Sequence, residues 1–199
     1  LSAYWEVPGD AETAIDGRWV DGPAQSFIDA IQRAFPDMPF VAEDLGQLDD
    51  AVYALRDDNH LPGMRVLQFG FDRDPNNPHS PRAVTETSLA YTGTHDNNTT
   101  AGWWASLDET IRANVIEMLE LGDDTDTEAV VWAMIEAAVR SPAVVAVVPV
   151  QDLLVLDDDA RMNVPGTTTD NWTWRMAPGS LTADLAASVR ALAERHGRV

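Results

Sequence analysis

Ser88-Leu89-Ala90-Tyr91-Thr92-Gly93-Thr94-His95-Asp96-Asn97-Asn98-Thr99-Thr100-Ala101-Gly102-Trp103-Trp104 is the stretch on which the fold turns. A short apolar run leads into a turn rich in Gly, Thr and Asn, and the residues beyond it suit a helix. His95 and Asp96 therefore fall just past the end of a strand. Folds of the α/β class place catalytic side chains there, because the loops after parallel strands form the mouth of the sheet or barrel.

Outward from this stretch the same grammar recurs. Pro39-Phe40-Val41-Ala42 is strand-like and ends in Glu43-Asp44-Leu45-Gly46. Strand side chains alternate faces, so only one of Glu43 and Asp44 can share a mouth with Asp96, and the other is expected to cap the next helix. Met64-Arg65-Val66-Leu67-Gln68-Phe69 reads as a strand. Residues 143–148, β-branched and bounded by Pro142 and Pro149, read as the clearest buried parallel strand of the chain. Helical spacing marks residues 26–35, then Leu48, Val52 and Leu55, then a helical pair across 107–140, and finally an amphipathic helix over 181–193. The opening residues, with Tyr4-Trp5 and Gly17-Arg18-Trp19, read as an ordered loop whose rings either stack on sugars or pin the loop to the core. Residues 72–81 carry three prolines and read as a binding loop.

Strands alternating with helices predict a parallel sheet with right-handed crossovers. Strand starts near Phe40, Arg65, Ser88 and Ala143 are spaced like βα units of a barrel. A complete TIM (β/α)8 barrel needs about 250 residues. These 199 residues are accordingly expected to be one domain. That domain would be the C-terminal half of such a barrel, about four βα units plus inserted helices, truncated at its N-terminus.

Asp and Glu number 33 against 13 Arg, with no Lys, for a formal charge of -20. That field repels phosphate backbones and anionic lipid, which argues against nucleic acid and membrane surfaces as partners and favours neutral substrates. The acidic, lysine-free surface fits either salt adaptation or coding bias. The absence of cysteine removes disulfides, thiolate catalysis and Cys-ligated metals. No apolar run is long enough to span a bilayer, so a cytoplasmic location is the default. The four histidines lack metal-ligand spacing, and no Ser-His-Asp or phosphate-loop pattern occurs. No cofactor or metal is expected.

Several separate motifs then carry a resemblance that runs nearly end to end. They are Tyr4-Trp5 with Gly17-Arg18-Trp19, Ala42-Glu43-Asp44-Leu45-Gly46, Leu61-Pro62-Gly63-Met64 and the residues to Phe71, Thr92 to Thr100 with Trp103-Trp104, Ala160-Arg161-Met162-Asn163, and Asn171-Trp172 with Trp174-Arg175. Together they resemble the amylomaltases, the 4-α-glucanotransferases of glycoside hydrolase family 77. The resemblance implies a retaining transglycosylase on a (β/α)8 barrel, acting on α-1,4-glucans and maltooligosaccharides. It implies that Glu43 is the acid/base and that His95 and Asp96 place substrate and stabilise the transition state. The family's nucleophilic Asp belongs to an Arg-x-Asp-His-Phe-Arg motif that precedes the Tyr-Trp pair, and these 199 residues do not contain it. The missing N-terminal half of the barrel is thus an implied partner.

General chemistry fits these roles. A retaining mechanism uses two carboxyls about 5 Å apart, one attacking and one shuttling the proton. A buried Glu43 would be a suitable proton donor, and a hydrogen-bonded Asp96 would stay ionised. Gln68, Phe69 and Asp72 follow a strand and are candidate substrate-binding residues, as are Asn97, Arg161 and Asn163, although each could equally support its neighbours. Residues 155–159 depart from the Gly-containing turn expected there. A non-catalytic glucan-binding or interaction fragment is the alternative, and an α-amylase-like hydrolase a weaker third, because the choice of acceptor depends on subsites.

Overall fold

Among the described residues, five α-helices begin on a side-chain acceptor that satisfies one of their orphan N–H groups. In the computed structural model, which describes residues 1–46, 48–122 and 124–199, Asp49 caps α2 (Asp50–Asp58) through Val52 N at 3.0 Å. Thr99 caps α3 (Thr100–Ser106), Asp108 caps α4 (Glu109–Met118), Asp126 caps α5 (Thr127–Arg140) and Thr182 caps α7 (Ala183–Arg195). Each such cap contributes about 1 kcal/mol. The two remaining helices, α1 (Ala24–Ala34) and α6 (Val150–Leu153), start after Pro23 and Pro149, whose fixed φ suits a helix entrance.

The chain divides into two units, residues 1–64 and 65–199. In the first, β1 (Ala3–Glu6) pairs antiparallel with β2 (Arg18–Asp21), with Trp5 opposite Trp19. The opening segment is therefore a hairpin, not the loop expected. Four-residue strands are too short for an alternation to stand out among Gly and Pro. What holds them is an edge-to-face Trp5–Trp19 contact at 5.3 Å and the Trp5 indole N–H donated to Ala14 O at 2.7 Å. Residues 39–42 form no full strand; Ala42 makes a single parallel bridge to Gly63.

Asp44 does not cap a helix, because Asp49 fills that place. It is buried instead, pairs with Arg56 of α2 and accepts from Met64 N at 2.6 Å. Gly63 lies so close that a Cβ there would strike the Asp44 carboxylate.

A strand at the unit boundary, β3 (Gly63–Val66), opens a sheet of order β3-β4-β5, with β4 (Ser88–Tyr91) parallel to β5 (Val145–Val147) and Leu89 opposite Val145. A 3-10 turn, Leu67–Phe69, replaces the end of the longer strand expected after Arg65. The strand expected to be buried over 143–148 is shorter and partly exposed, with Val144 at 61% and Val145 at 43%, since β5 lies at the sheet edge. The deepest apolar element is α5. Val130, Met134 and Ala138 join Leu67, Phe71, Trp103, Val115 and Met118, while Val131 and Ile135 face Ala101 and Leu192 of α7. Arg198 closes α5 by donating to Val139 O, Ser141 O and Ala143 O, carbonyls that the helix end leaves unpaired. Among the described residues no helix is long and apolar enough to cross a membrane.

Candidate active site

The loop after β4 is tied by its own side chains before it meets anything else. Thr94 N and Thr94 Oγ1 both donate to Asn97 Oδ1, at 2.9 and 2.8 Å, and Asp96 N donates to Thr94 Oγ1 at 3.2 Å. Short polar residues make such local bonds readily, which is why Thr and Asn crowd this turn. Gln68 supports the loop from below. It is 7% exposed, its amide donates to Asn98 O at 3.0 Å, and a Cβ on Gly93 would stand 2.7 Å from its Nε2.

A second loop, residues 157–163, grips the first. Asp158, in the 3-10 turn Asp158–Ala160, accepts from Asn98 Nδ2 at 2.6 Å and from Thr99 N at 3.1 Å. Arg161 donates to Asn98 Oδ1 at 2.8 Å, to Asp96 O at 2.7 Å and to Asn163 O at 2.9 Å. Asn163 Nδ2 donates to Asp96 Oδ1 at 2.6 Å, and His95 Nε2 lies 3.4 Å from that same oxygen. Among the described residues Asp96 Oδ2 accepts no hydrogen bond. The Trp172 ring, 52% exposed, sits 5.1 Å from His95 at 40°. A cavity of about 130 Å³ opens beside Thr94, His95, Asn98, Gln151 and Arg161. The result is a half-exposed carboxylate with one oxygen braced and one open, next to an imidazole and an aromatic face. Such a set can accept hydroxyls and stack against an apolar sugar face.

Of the residues singled out in the sequence, His95, Asp96, Asn97, Arg161 and Asn163 are brought together here. Asn97 spends its carbonyl on Thr94, and Arg161 and Asn163 spend their donors on the site loop. Phe69 is 47% exposed and packs edge-on against His79 at 5.5 Å. Asp72 accepts from Asp74 N and Asn77 Nδ2, both at 3.0 Å. The Asn77 bond, then that from Asp74, holds its carboxyl below the usual carboxylate range. Sequence reading passed over Asn98 and Asp158, because a second Asn and the middle of an Asp157-Asp158-Asp159 run look like solvated polar surface. Trp172 carried a motif but no role.

Glu43 belongs to the first unit. It is exposed rather than buried, so the described residues do not supply the desolvation expected of it. It stands at a mostly apolar cavity of about 470 Å³ lined by Phe27, Ile31, Phe40, Val52 and Leu55. Among the described residues no group of three or more His, Asp or Glu could hold a metal ion.

Residues 1–182 match the family model described as 4-alpha-glucanotransferase. A 4-alpha-glucanotransferase of Thermus thermophilus is 43% identical over 203 residues, covering 100% of this chain and 41% of the relative. A chloroplastic/amyloplastic 4-alpha-glucanotransferase of Solanum tuberosum is 40% identical over 192 residues, covering 96% of this chain and 33% of the relative. The solved amylomaltase of Streptococcus agalactiae in complex with acarbose superposes with a TM-score of 0.91 at 31% identity, over 98% of this chain and 39% of that one. The chain thus spans between a third and about two fifths of the length of these relatives.

Proposed function

Because this chain belongs to the 4-alpha-glucanotransferase family, glycoside hydrolase family 77, we propose that it is the C-terminal half of a (β/α)8-barrel enzyme that transfers α-1,4-glucan segments between maltooligosaccharides with retention. Glu43 protonates the leaving oxygen and then deprotonates the acceptor hydroxyl. Asp96 and His95 hold sugar hydroxyls and stabilise the oxocarbenium-like transition state. The nucleophilic carboxylate is contributed from outside these 199 residues, since their sequence holds no Arg-x-Asp-His-Phe-Arg.

One observation carries this reading. Asp96 is fixed through Oδ1 by Asn163, with His95 Nε2 3.4 Å from the same oxygen, and through its backbone O by Arg161, while among the described residues Oδ2 accepts no hydrogen bond. A carboxylate preorganised in this way is what a developing positive charge on a sugar ring requires. The bound acarbose of the Streptococcus agalactiae relative supports an α-glucan-like ligand. Gln68, Asn97, Arg161 and Asn163 then act by shaping the loop, and Phe69 and Asp72 remain candidate contacts for an acceptor sugar.

The test is complementation. This chain is co-expressed with a family N-terminal half that contains the Arg-x-Asp-His-Phe-Arg motif, and the complex is given maltotriose. Glucose together with longer maltodextrins is expected from the complex and from neither half alone. A stable complex that leaves maltotriose untouched overturns the reading. Glucose and maltose without longer products would make the enzyme a hydrolase, and glucan binding without turnover would select the non-catalytic alternative.

A further inference from the structure

The site loop has two stems, and one buried carboxylate joins them. Thr92 follows β4 directly and Thr100 opens α3, so residues 93–99, which include His95 and Asp96, lie between. Asp152, in α6, is 1% exposed. Its Oδ2 accepts from Thr92 Oγ1 at 2.6 Å and from Thr100 Oγ1 at 2.8 Å, and its Oδ1 accepts from Thr100 N at 2.7 Å. Thr92 and Thr100 are themselves fully buried. All three bonds come from two threonines and none from a cation.

We infer that Asp152 is a positioning residue of the site, a buried carboxylate that closes the stems of the 93–99 loop and thereby sets where His95 and Asp96 stand. This inference rests on the function proposed above for its catalytic readout but not for its structural one. The inventory of partners supports it. A fully buried polar group is retained only when its bonds are made, and removing one side leaves the others orphaned. Burial pushes the Asp152 carboxyl above the usual carboxylate range, and the Thr92 and Thr100 bonds oppose that rise. Holding a carboxylate in so dry a place is a standing cost, and stability alone would be served as well by an apolar side chain. What the carboxylate adds is geometry. It accepts from two hydroxyls and one N–H at once, so it fixes the separation of the two stems in a way that no alkyl group does.

The loop then inherits that spacing. Asp96 N and Asn97 N donate to Thr94 Oγ1 and Thr94 O, both at 3.2 Å, and Thr94 donates twice to Asn97 Oδ1, so the turn is shaped locally but none of these bonds reaches its stems. Asp158 and Arg161 brace the outer side of the loop through Asn98, Thr99 and Asp96 O. Among the described residues, Asp152 is the one side chain that accepts from both stems.

Two variants separate position from bulk folding. Asp152→Ala removes the crosspiece. Asp152→Asn keeps it in part, because its oxygen accepts from Thr100 N while its NH2 donates to threonine hydroxyls. In the chain itself, amide hydrogen exchange at Asp96 and Asn97 is expected to speed up at least about tenfold in Asp152→Ala, and less in Asp152→Asn, while the amides of Val131, Met134 and Ile135 in α5 stay protected. In the complemented complex, kcat on maltotriose is expected to fall about 10²-fold in Asp152→Ala with KM within about threefold, and to recover partly in Asp152→Asn. If the site-loop amides exchange at the parent rate in whichever variant folds, the inference is overturned. So it is if α5 and the loop loosen together, since that is a general loss of structure. A parent complex without activity would sink the glucanotransferase reading, and the exchange comparison would still decide the role of Asp152.

Discussion

Asn163 Nδ2 donates to Asp96 Oδ1 at 2.6 Å across 67 residues of chain, and the bond holds one oxygen of the carboxylate while the other accepts no hydrogen bond among the described residues. On the function proposed above, Asn163 acts on the reaction through Asp96. Asn163→Ala should free the Asp96 side chain and lower kcat of the complemented enzyme by about tenfold with little change in stability. Asn163→Asp should do more harm at neutral pH, because a second ionised carboxylate repels Asp96 until one of the pair takes up a proton and can donate it across the gap. Its activity should rise relative to that of Asn163→Ala as the pH is lowered. Parallel pH profiles for the two variants would remove Asn163 from this role.

Val155 has a φ of 52°, a left-handed conformation that a β-branched residue rarely adopts. It opens residues 155–159, the segment that departs from the Gly-containing turn expected there. Replacement by Gly removes the strain but also some packing against the α5 and α7 side chains, so the single change is ambiguous. Comparison with Val155→Ala isolates the backbone. Val155→Gly should be more stable than Val155→Ala by about 1 kcal/mol, read from chemical denaturation midpoints, because only the Ala variant keeps a Cβ in the left-handed region. Equal stabilities would mean that the turn relaxes when the side chain is cut back.

Legibility in the sequence follows the range of the interaction that builds each element. The helix over α5 and the strand Ser88–Tyr91 are readable because their apolar residues are close in sequence and fall at the period of the element. His95 and Asp96 are readable because the strand end places them. The hairpin at Trp5 and Trp19 is not, since its register depends on a contact 14 residues apart with almost no repeat to announce it. The same holds for the site. Asp158 and Asn98 meet across 60 residues, and nothing in a run of three aspartates says that the middle one grips a loop. Glu43 and Asp44 are adjacent, and alternation along the chain says that one points each way, but which one is buried was decided by Arg56 and the missing side chain at Gly63.

Glu136 of α5 ties the last helix down through His196 Nε2 at 2.8 Å and Arg195 at 3.5 Å. The His196 bond, then the charges of His196 and Arg195, holds its carboxyl below the usual value. A carboxyl depressed in the folded state contributes stability above its unfolded value of about 4.3 and loses it as pH falls through the folded value. Below about pH 4, α7 should therefore loosen before α5, seen as earlier exchange of the Leu192 amide. Glu136→Gln should make the acid limb of the stability curve flatter. An unchanged acid limb in that variant would place the titration elsewhere.

A formal charge of -20 on 199 residues should make the folded state repel itself. Screening weakens that repulsion, since the Debye length shrinks to about 3 Å at 1 M salt. The melting temperature of the chain is expected to rise steadily with potassium chloride up to about that concentration. A flat or falling curve would leave coding bias as the account of the lysine-free composition.

Two neighbouring carboxylates provide the sharpest contrast. Asp44 has a side chain 1% exposed, paired with Arg56, which is itself 14% exposed, and accepting from Met64 N. Removing one partner of such a pair strands the other charge away from water, a loss of about 3–5 kcal/mol. Asp44→Ala should therefore unfold the chain at a much lower denaturant concentration. Glu43, one residue earlier, is exposed and makes no hydrogen bond among the described residues. Glu43→Gln should leave the denaturation midpoint of the chain unchanged and yet lower maltotriose disproportionation by the complemented enzyme at least about 10²-fold, the usual cost of losing a general acid. If Glu43→Gln keeps its rate within a few-fold of the parent, Glu43 is not the acid/base. If it destabilises the chain as Asp44→Ala does, the two side chains have been assigned to the wrong faces.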